Sequence, residues 1–153
     1  MTELTERFDR ALLMAHELHR HQRRKGNDIP YYTHLLAVAA IVLEANGCED
    51  TAIAALLHDS VEDQGGQATL DRIEAEFGPK VARIVLACTD KIERDESDDT
   101  PAGWRRRKEK ELAAVAAKPD KAKMVTAADK LHNLRGLCGD HRRLGEGLWS
   151  RFT

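Results

Sequence analysis

At 153 residues the chain can build one domain with a proper core, but not two ordinary ones. With 33% of residues charged and a formal net charge of -2, a bulk electrostatic attraction to nucleic acid is excluded. No apolar stretch approaches the roughly 20 residues that cross a bilayer, so no membrane span is expected. The N-terminal Met1-Thr2-Glu3-Leu4-Thr5-Glu6-Arg7 lacks the basic and apolar regions of a signal peptide. Cys48, Cys88 and Cys138 stand far apart, in none of the close pairs typical of zinc sites, and read as reduced thiols of a cytoplasmic protein.

Helical periodicity dominates the chain, and no alternating strand is convincing. The first helix is expected from about Glu3 to Arg24, with Leu4, Phe8, Leu12, Ala15 and Leu18 on one face, and Gly26 to Pro30 breaks it. A second, apolar nearly all round, should run from Tyr32 to Ala45 and stop at Asn46-Gly47. Asp50 or Thr51 can cap a third that continues through His58 to about Asp63, where Gly65-Gly66 ends it. Thr69 is placed as the cap of a fourth helix, Leu70 to Phe77, closed by Gly78-Pro79. A fifth follows from about Lys80 to Thr89, turning Val81, Ile84, Val85 and Cys88 inward. The acidic, Asp- and Ser-rich stretch from Glu93 to Gly103 is expected to be a mobile loop. Helix resumes from Trp104 to Ala117, Pro119 interrupts, and a last helix spans Lys121 to about Leu137. Gly139 to Gly147 is turn-rich, with Trp149 and Phe152 just beyond. There is no internal repeat and no linker, so residues 1–153 are expected to form a single, compact all-α bundle.

The chemistry concentrates at His58-Asp59, which ends the apolar run Ala52-Ile53-Ala54-Ala55-Leu56-Leu57. Buried charge is costly unless it is paired or coordinates a metal. Successive helical residues point about 100° apart, so these two can share an ion only if it lies off their helix. Two further polar residues stand on core-like faces: His34 near the start of the apolar second helix, and Asp129 inside Val125-Thr126-Ala127-Ala128-Asp129. Two imidazoles and two carboxylates make a mixed N/O donor set that suits Mn²⁺, Fe²⁺ or Co²⁺. Glu62 follows His58 by one turn and Asp63 follows Asp59 likewise, within reach of a water or phosphate oxygen beside the ion. Asn133 lies one turn beyond Asp129 as a neutral hydrogen-bonding group. His16, His19, His21, His132 and His141 are left as surface groups or neighbours of the ligands. The basic run Arg105-Arg106-Arg107-Lys108, interleaved further on with Glu109 and Glu111, reads as a solvated helix face.

These residues resemble the HD superfamily of metal-dependent phosphohydrolases, whose ligands are a His, a His-Asp pair and a distant Asp. The resemblance extends through Gln22-Arg23-Arg24-Lys25-Gly26, Pro30-Tyr31-Tyr32-Thr33-His34, Leu56 to Asp63, Phe77-Gly78 and Ala128 to Arg135. In that order they are similar to the guanosine polyphosphate hydrolase domain of the RelA/SpoT enzymes, and especially to the small stand-alone alarmone hydrolases. The resemblance implies an HD-domain helical bundle that removes the 3′-pyrophosphate from ppGpp or a related alarmone. The products would be GDP or GTP and pyrophosphate, the usual metal Mn²⁺, and the partner a small nucleotide. It also implies that His34, His58, Asp59 and Asp129 hold the ion and that Glu62 and Asp63 position or activate the attacking water. Arg24 and Lys25 match a pair that packs on the base and contacts phosphate, and Asn133 matches a nucleoside-contacting Asn.

Departures from the family are the loop from Arg24 to His34, one residue longer than in the bifunctional enzymes, and Leu35 in place of a frequent proline. Relatives usually continue past the position of Phe152 into a helix bearing an aromatic residue near the nucleotide. No synthetase domain fits in 153 residues, so degradation alone is expected. The alternatives are a broader HD nucleotidase, acting on adenine alarmones, NADPH or deoxynucleotides, and a silent nucleotide-binding module. Arg24-Lys25 together with Glu62-Asp63 favours the alarmone hydrolase over both.

Overall fold

Thr5 starts the first helix, α1 (Glu6–His19), by accepting the Arg7 backbone N–H on its hydroxyl, while Glu6 and Asp9 complement the positive helix end. The computed structural model describes residues 2–25, 28–89 and 101–152. Helix α1 ends at His19, short of the expected Arg24. Beyond it the backbone leaves the helix to pair with the approach to the next one. Arg24 N–H donates to the Ile29 carbonyl and Tyr31 N–H to that of Gln22, each at 2.9 Å, around an isolated Arg23–Pro30 bridge.

Helix α2 (Tyr32–Glu44) buries Leu35, Val38, Ala39 and Val42. It stops as its sequence requires: Gly47 N–H donates to the Val42 carbonyl and Asn46 N–H to that of Leu43, with Asn46 at φ 60°. This paired closure needs a left-handed residue, which Asn tolerates. Helix α3 (Glu49–Leu57) then begins one residue before the expected Asp50 cap. Every residue from Thr51 to Leu57 is buried, which makes α3 the central rod of the bundle. Arg7 fixes its start, reaching Glu49 at 2.9 Å, Asp50 at 3.0 Å and the Phe77 carbonyl at 2.9 Å.

The third helix does not continue to Asp63. It breaks at His58-Asp59 and resumes as the single turn α4 (Ser60–Asp63). The chain then turns through Gly65, whose φ of 111° only glycine adopts readily, into α5 (Gly66–Phe77). Thr69 is therefore inside that helix rather than its cap, and its hydroxyl donates to the Gln64 carbonyl. Pro79 opens α6 (Pro79–Cys88) where its missing N–H costs nothing, and Val81, Ala82, Ile84 and Val85 point inward.

The mobile loop expected from Glu93 falls mainly on residues 90–100, outside the described ones. Helix α7 (Pro101–Val115) is already formed at Gly103. Helix α8 (Asp120–Leu144) runs through Gly139 where turns were expected, and passes at Gly145 (φ 57°) into a 3₁₀ segment, Gly145–Phe152. Its inward residues are Ala122, Val125 and Ala128, beyond which the helix is mostly exposed.

Around α3 pack α1, α2, α6 and α8; α2 also lies on α8, and α5 on α6. All the described regular structure is helical, as expected. The start of α2, the end of α3 and the middle of α8 thus meet at one end of the core.

Candidate metal centre and its surroundings

His34 sits in the first turn of α2 and His58 caps the end of α3; both are buried, at 1% and 4% exposure. The His58 Nδ1–H donates to the Ala55 carbonyl at 2.8 Å, one of the acceptors a helix end leaves unmatched. That bond fixes the ring and turns Nε2 inward. There Nε2 lies 3.0 Å from Asp59 Oδ2 and 3.9 Å from Asp129 Oδ1, yet it makes no aligned hydrogen bond. His34 Nε2 faces the same carboxylates, 3.2 Å from Asp129 Oδ1 and 3.6 Å from Asp59 Oδ2. The structure therefore brings all four expected ligand residues together.

The break between α3 and α4 is what makes this possible. On a continuous helix His58 and Asp59 would diverge; here Asp59 swings so that its Oδ2 closes on both imidazoles. Tyr31 donates its hydroxyl to Asp59 Oδ2 at 2.6 Å, and Asn133 its amide to Asp129 Oδ1 at 2.6 Å. Lys130 pairs with the other Asp129 oxygen at 3.1 Å.

The electrostatics are those of a strongly acidic centre. Burial alone would lower the His58 imidazolium, but the charges of Asp59 and Asp129 overcome it and raise its pKa to about 9. Burial would raise the Asp59 carboxyl; the charge of His58 and the Tyr31 hydroxyl hold it well below the carboxylate range instead. Asp129 is likewise held down, to about 2, against burial by His34, His58 and Lys130. Burial, with the Asp59 charge, pushes the Tyr31 phenol far above its ordinary value, so it stays a donor.

A divalent cation fits this donor set. His34, His58 and Asp59 each offer an atom within 4.8 Å of the others, and Asp129 Oδ1 adds a fourth. Nitrogen-to-oxygen separations of 3.0–3.9 Å among these atoms suit ligands placed around an ion at roughly 2.0–2.2 Å. The buried, unmatched Nε2 of His58 is the clearest sign, because a metal bond would satisfy it.

The other expected residues are distributed around this point. Arg24 donates to Asn133 Oδ1 at 2.9 Å and lies 6.0 Å from the centre of the Tyr31 ring, so Asn133 links the basic group to Asp129. Lys25 is exposed beside Arg24. Glu62 is half-buried on α4, and Asp63 is exposed, where its Oδ2 accepts the Gln22 amide at 2.8 Å.

Several further contributors had been given no particular role. His19, left as a surface group or a neighbour of the ligands, is buried; it stacks on Tyr31 at 5.3 Å and bonds Ser60 Oγ at 3.2 Å and Gln22. His132 reaches His34 Nδ1 at 2.7 Å, and burial with neighbouring positive charge lowers its pKa. The available signal was spacing: Tyr31 precedes His34, and His132 follows Asp129, by three residues, which puts each pair on one helix face. His16, His21 and His141 are exposed, as expected.

Residues 11–146 match the family described as HD domain. This chain belongs to that family. The HD domain here is 39% identical over 139 residues to guanosine-3′,5′-bis(diphosphate) 3′-pyrophosphohydrolase MESH1 of Mus musculus, covering 89% of this chain and 72% of that protein. The protein of the same name from Xenopus tropicalis is 44% identical over 127 residues, 80% of this chain and 65% of that one. A probable GTP pyrophosphokinase of Mycobacterium leprae is 38% identical over 126 residues, but the HD domain covers only 15% of it. The solved structure of a metazoan ortholog of SpoT, described as hydrolysing ppGpp with a role in starvation responses, superposes with a TM-score of 0.76. It is 34% identical, and the match covers 90% of this chain and 73% of that one.

Proposed function

We propose that this HD domain, residues 1–153, hydrolyses the 3′-pyrophosphate of ppGpp and its pentaphosphate analogue to GDP or GTP and pyrophosphate, with Mn²⁺ as cofactor, so ending a stringent response. The carrying observation is the convergence of two imidazole nitrogens and two carboxylate oxygens on one buried point, one bond from Asn133 and two from Arg24. Relatives at 39% and 44% identity named for this reaction support the choice of substrate.

His34, His58, Asp59 and Asp129 would hold the ion, an N/O set that suits Mn²⁺. Bound there, a divalent cation supplies Lewis-acid polarisation of a phosphoryl oxygen and a lower pKa for water. The residues of the chain do the rest. Glu62 or Asp63, one turn beyond the His-Asp pair, takes the proton of the attacking water as its oxygen bonds to phosphorus. The bond from phosphorus to the ribose 3′ oxygen breaks with its electron pair on that oxygen. The oxygen takes up the proton held by the carboxyl to become the 3′-hydroxyl of GDP or GTP, and pyrophosphate is released. Arg24, held against Asn133 and Tyr31, presents a planar guanidinium to a purine face, and Lys25 an ammonium to phosphate. Free Cys48, Cys88 and Cys138 fit a reducing cytoplasm.

The test is to incubate the purified protein and Mn²⁺ with ppGpp, an adenine alarmone, NADPH and a deoxynucleoside monophosphate. Pyrophosphate release from ppGpp is expected. Orthophosphate release, or turnover of NADPH or the monophosphate alone, would overturn the assignment in favour of a broader nucleotidase.

A further inference from the structure

The second ring nitrogen of His34 has an uncommon partner. Histidines that bind metals generally donate their other N–H to a carboxylate, a backbone carbonyl or water. Here Nδ1 of His34 lies 2.7 Å from Nδ1 of His132, the rings 4.9 Å apart and tilted by 45°. Two imidazole nitrogens at that distance share a single hydrogen, so the pair has two arrangements. If His132 donates, His34 Nδ1 holds a lone pair and its Nε2 carries a hydrogen aimed at Asp129 Oδ1, 3.2 Å away. That arrangement closes the site to a cation. If His34 donates, its Nε2 lone pair is free and His132 carries its own hydrogen on Nε2.

From this we infer that His132 is a positioning residue for the cation site. Its Nδ1 accepts the Nδ1–H of His34, which holds the His34 Nε2 lone pair on the point shared with Asp59 and Asp129. The inference rests on the reading of that point as a cation site. A neutral imidazole suits the task because it fixes ring and tautomer without adding a third negative charge beside two acids. Its place in the fold is equally economical. His132 stands three residues after Asp129 on α8, so one helix face delivers both a direct ligand and the acceptor that orients the ligand from α2.

The test compares His132→Phe, which keeps a ring without an acceptor, with His132→Gln, which keeps an acceptor without the ring. Mn²⁺ alone is titrated calorimetrically into each variant and the wild type, with far-UV circular dichroism as the check on folding. Loss of an outer partner should weaken Mn²⁺ binding by about 10–100-fold in His132→Phe, and His132→Gln should recover most of it. Wild-type affinity in folded His132→Phe, or equal weakness in both variants, overturns the inference. A measurement on the wild type needs no variant: long-range ¹H–¹⁵N spectra of the Zn²⁺-loaded protein should show His34 protonated on Nδ1 and His132 on Nε2. The reverse assignment overturns it too. A wild-type protein that takes up no Mn²⁺ removes the cation site itself, and this inference with it.

Discussion

Asp59 gathers three partners of the site on a single oxygen. Its Oδ2 meets His58, His34 and the Tyr31 hydroxyl, so removing it leaves two buried imidazoles with Asp129 alone and the half-buried Tyr31 hydroxyl without its acceptor. Asp59→Ala should therefore lose both Mn²⁺ uptake, followed by calorimetry, and pyrophosphate release. Retained hydrolysis would remove the metal centre from the mechanism. Glu62→Ala should separate the two: metal content stays, while kcat falls by the roughly 10²–10⁴-fold that general acid–base catalysis contributes. Loss of the metal instead would make Glu62 a ligand. Arg24→Ala should raise KM by roughly tenfold or more, the scale of a charge-assisted hydrogen bond, with kcat little changed. That His34, His58, Asp59 and Asp129 meet was foreshadowed in the sequence, where polar groups interrupt apolar runs: His58 after Ala52 to Leu57, Asp129 after Val125 to Ala128. Tyr31, His19 and His132 were not, because their significance lies in contacts between helices. Nothing local in Leu131-His132-Asn133 says that this ring meets His34 across the site.

Helix ends position these residues, and some ends were easier to read than others. Asn46-Gly47 announced the stop of α2, and the structure explains why glycine is needed. A Cβ on Gly47 would come 2.5 Å from Val42 Cγ1 and 2.8 Å from the Val42 carbonyl oxygen, which accepts the Gly47 N–H. Gly47→Ala should destabilise the protein by about 1–3 kcal/mol, the usual scale of overpacking, measurable by urea denaturation with an unchanged m-value. Unaltered stability would mean that the turn before α3 yields freely. The division of α3 from α4 was not legible, since Leu57 to Asp63 contains neither glycine nor proline. Its cause is tertiary: His58 bonds back to Ala55 while Asp59 is drawn to the imidazoles and Tyr31. The extension of α8 to Leu144 was missed for the opposite reason. Gly136 and Gly139 each cost about 1 kcal/mol relative to alanine, which weakens a helix without forcing it to end. The ladder continues to Gly145, whose N–H still donates to the His141 carbonyl.

Across the whole molecule, the centre joins α2, the end of α3 and α8, so its protonation should bear on global stability. In the metal-free protein His58 has a pKa raised to about 9 from 6.5. Its contribution to stability is complete below pH 6.5 and is lost as pH rises toward 9, because the unfolded chain gives up that proton first. Asp59, shifted the other way from 3.8, contributes above that pH and loses its contribution as acid protonates it. With a chelator present, the centre should therefore favour folding most between about pH 4 and 6.5 and progressively less above. A divalent cation held by His58, as proposed, would have to take the place of its proton, so its apparent affinity should rise about tenfold per pH unit up to that pKa, one proton leaving per ion bound. The stabilisation it confers at a concentration 100 times Kd is about 2.7 kcal/mol. Melting curves with EDTA and with Mn²⁺, recorded without oxygen from pH 5 to 8.5, should separate as pH increases: the EDTA series falls above pH 6.5 while the increment from Mn²⁺ grows. An increment independent of pH would mean that His58 holds no proton for the ion to displace.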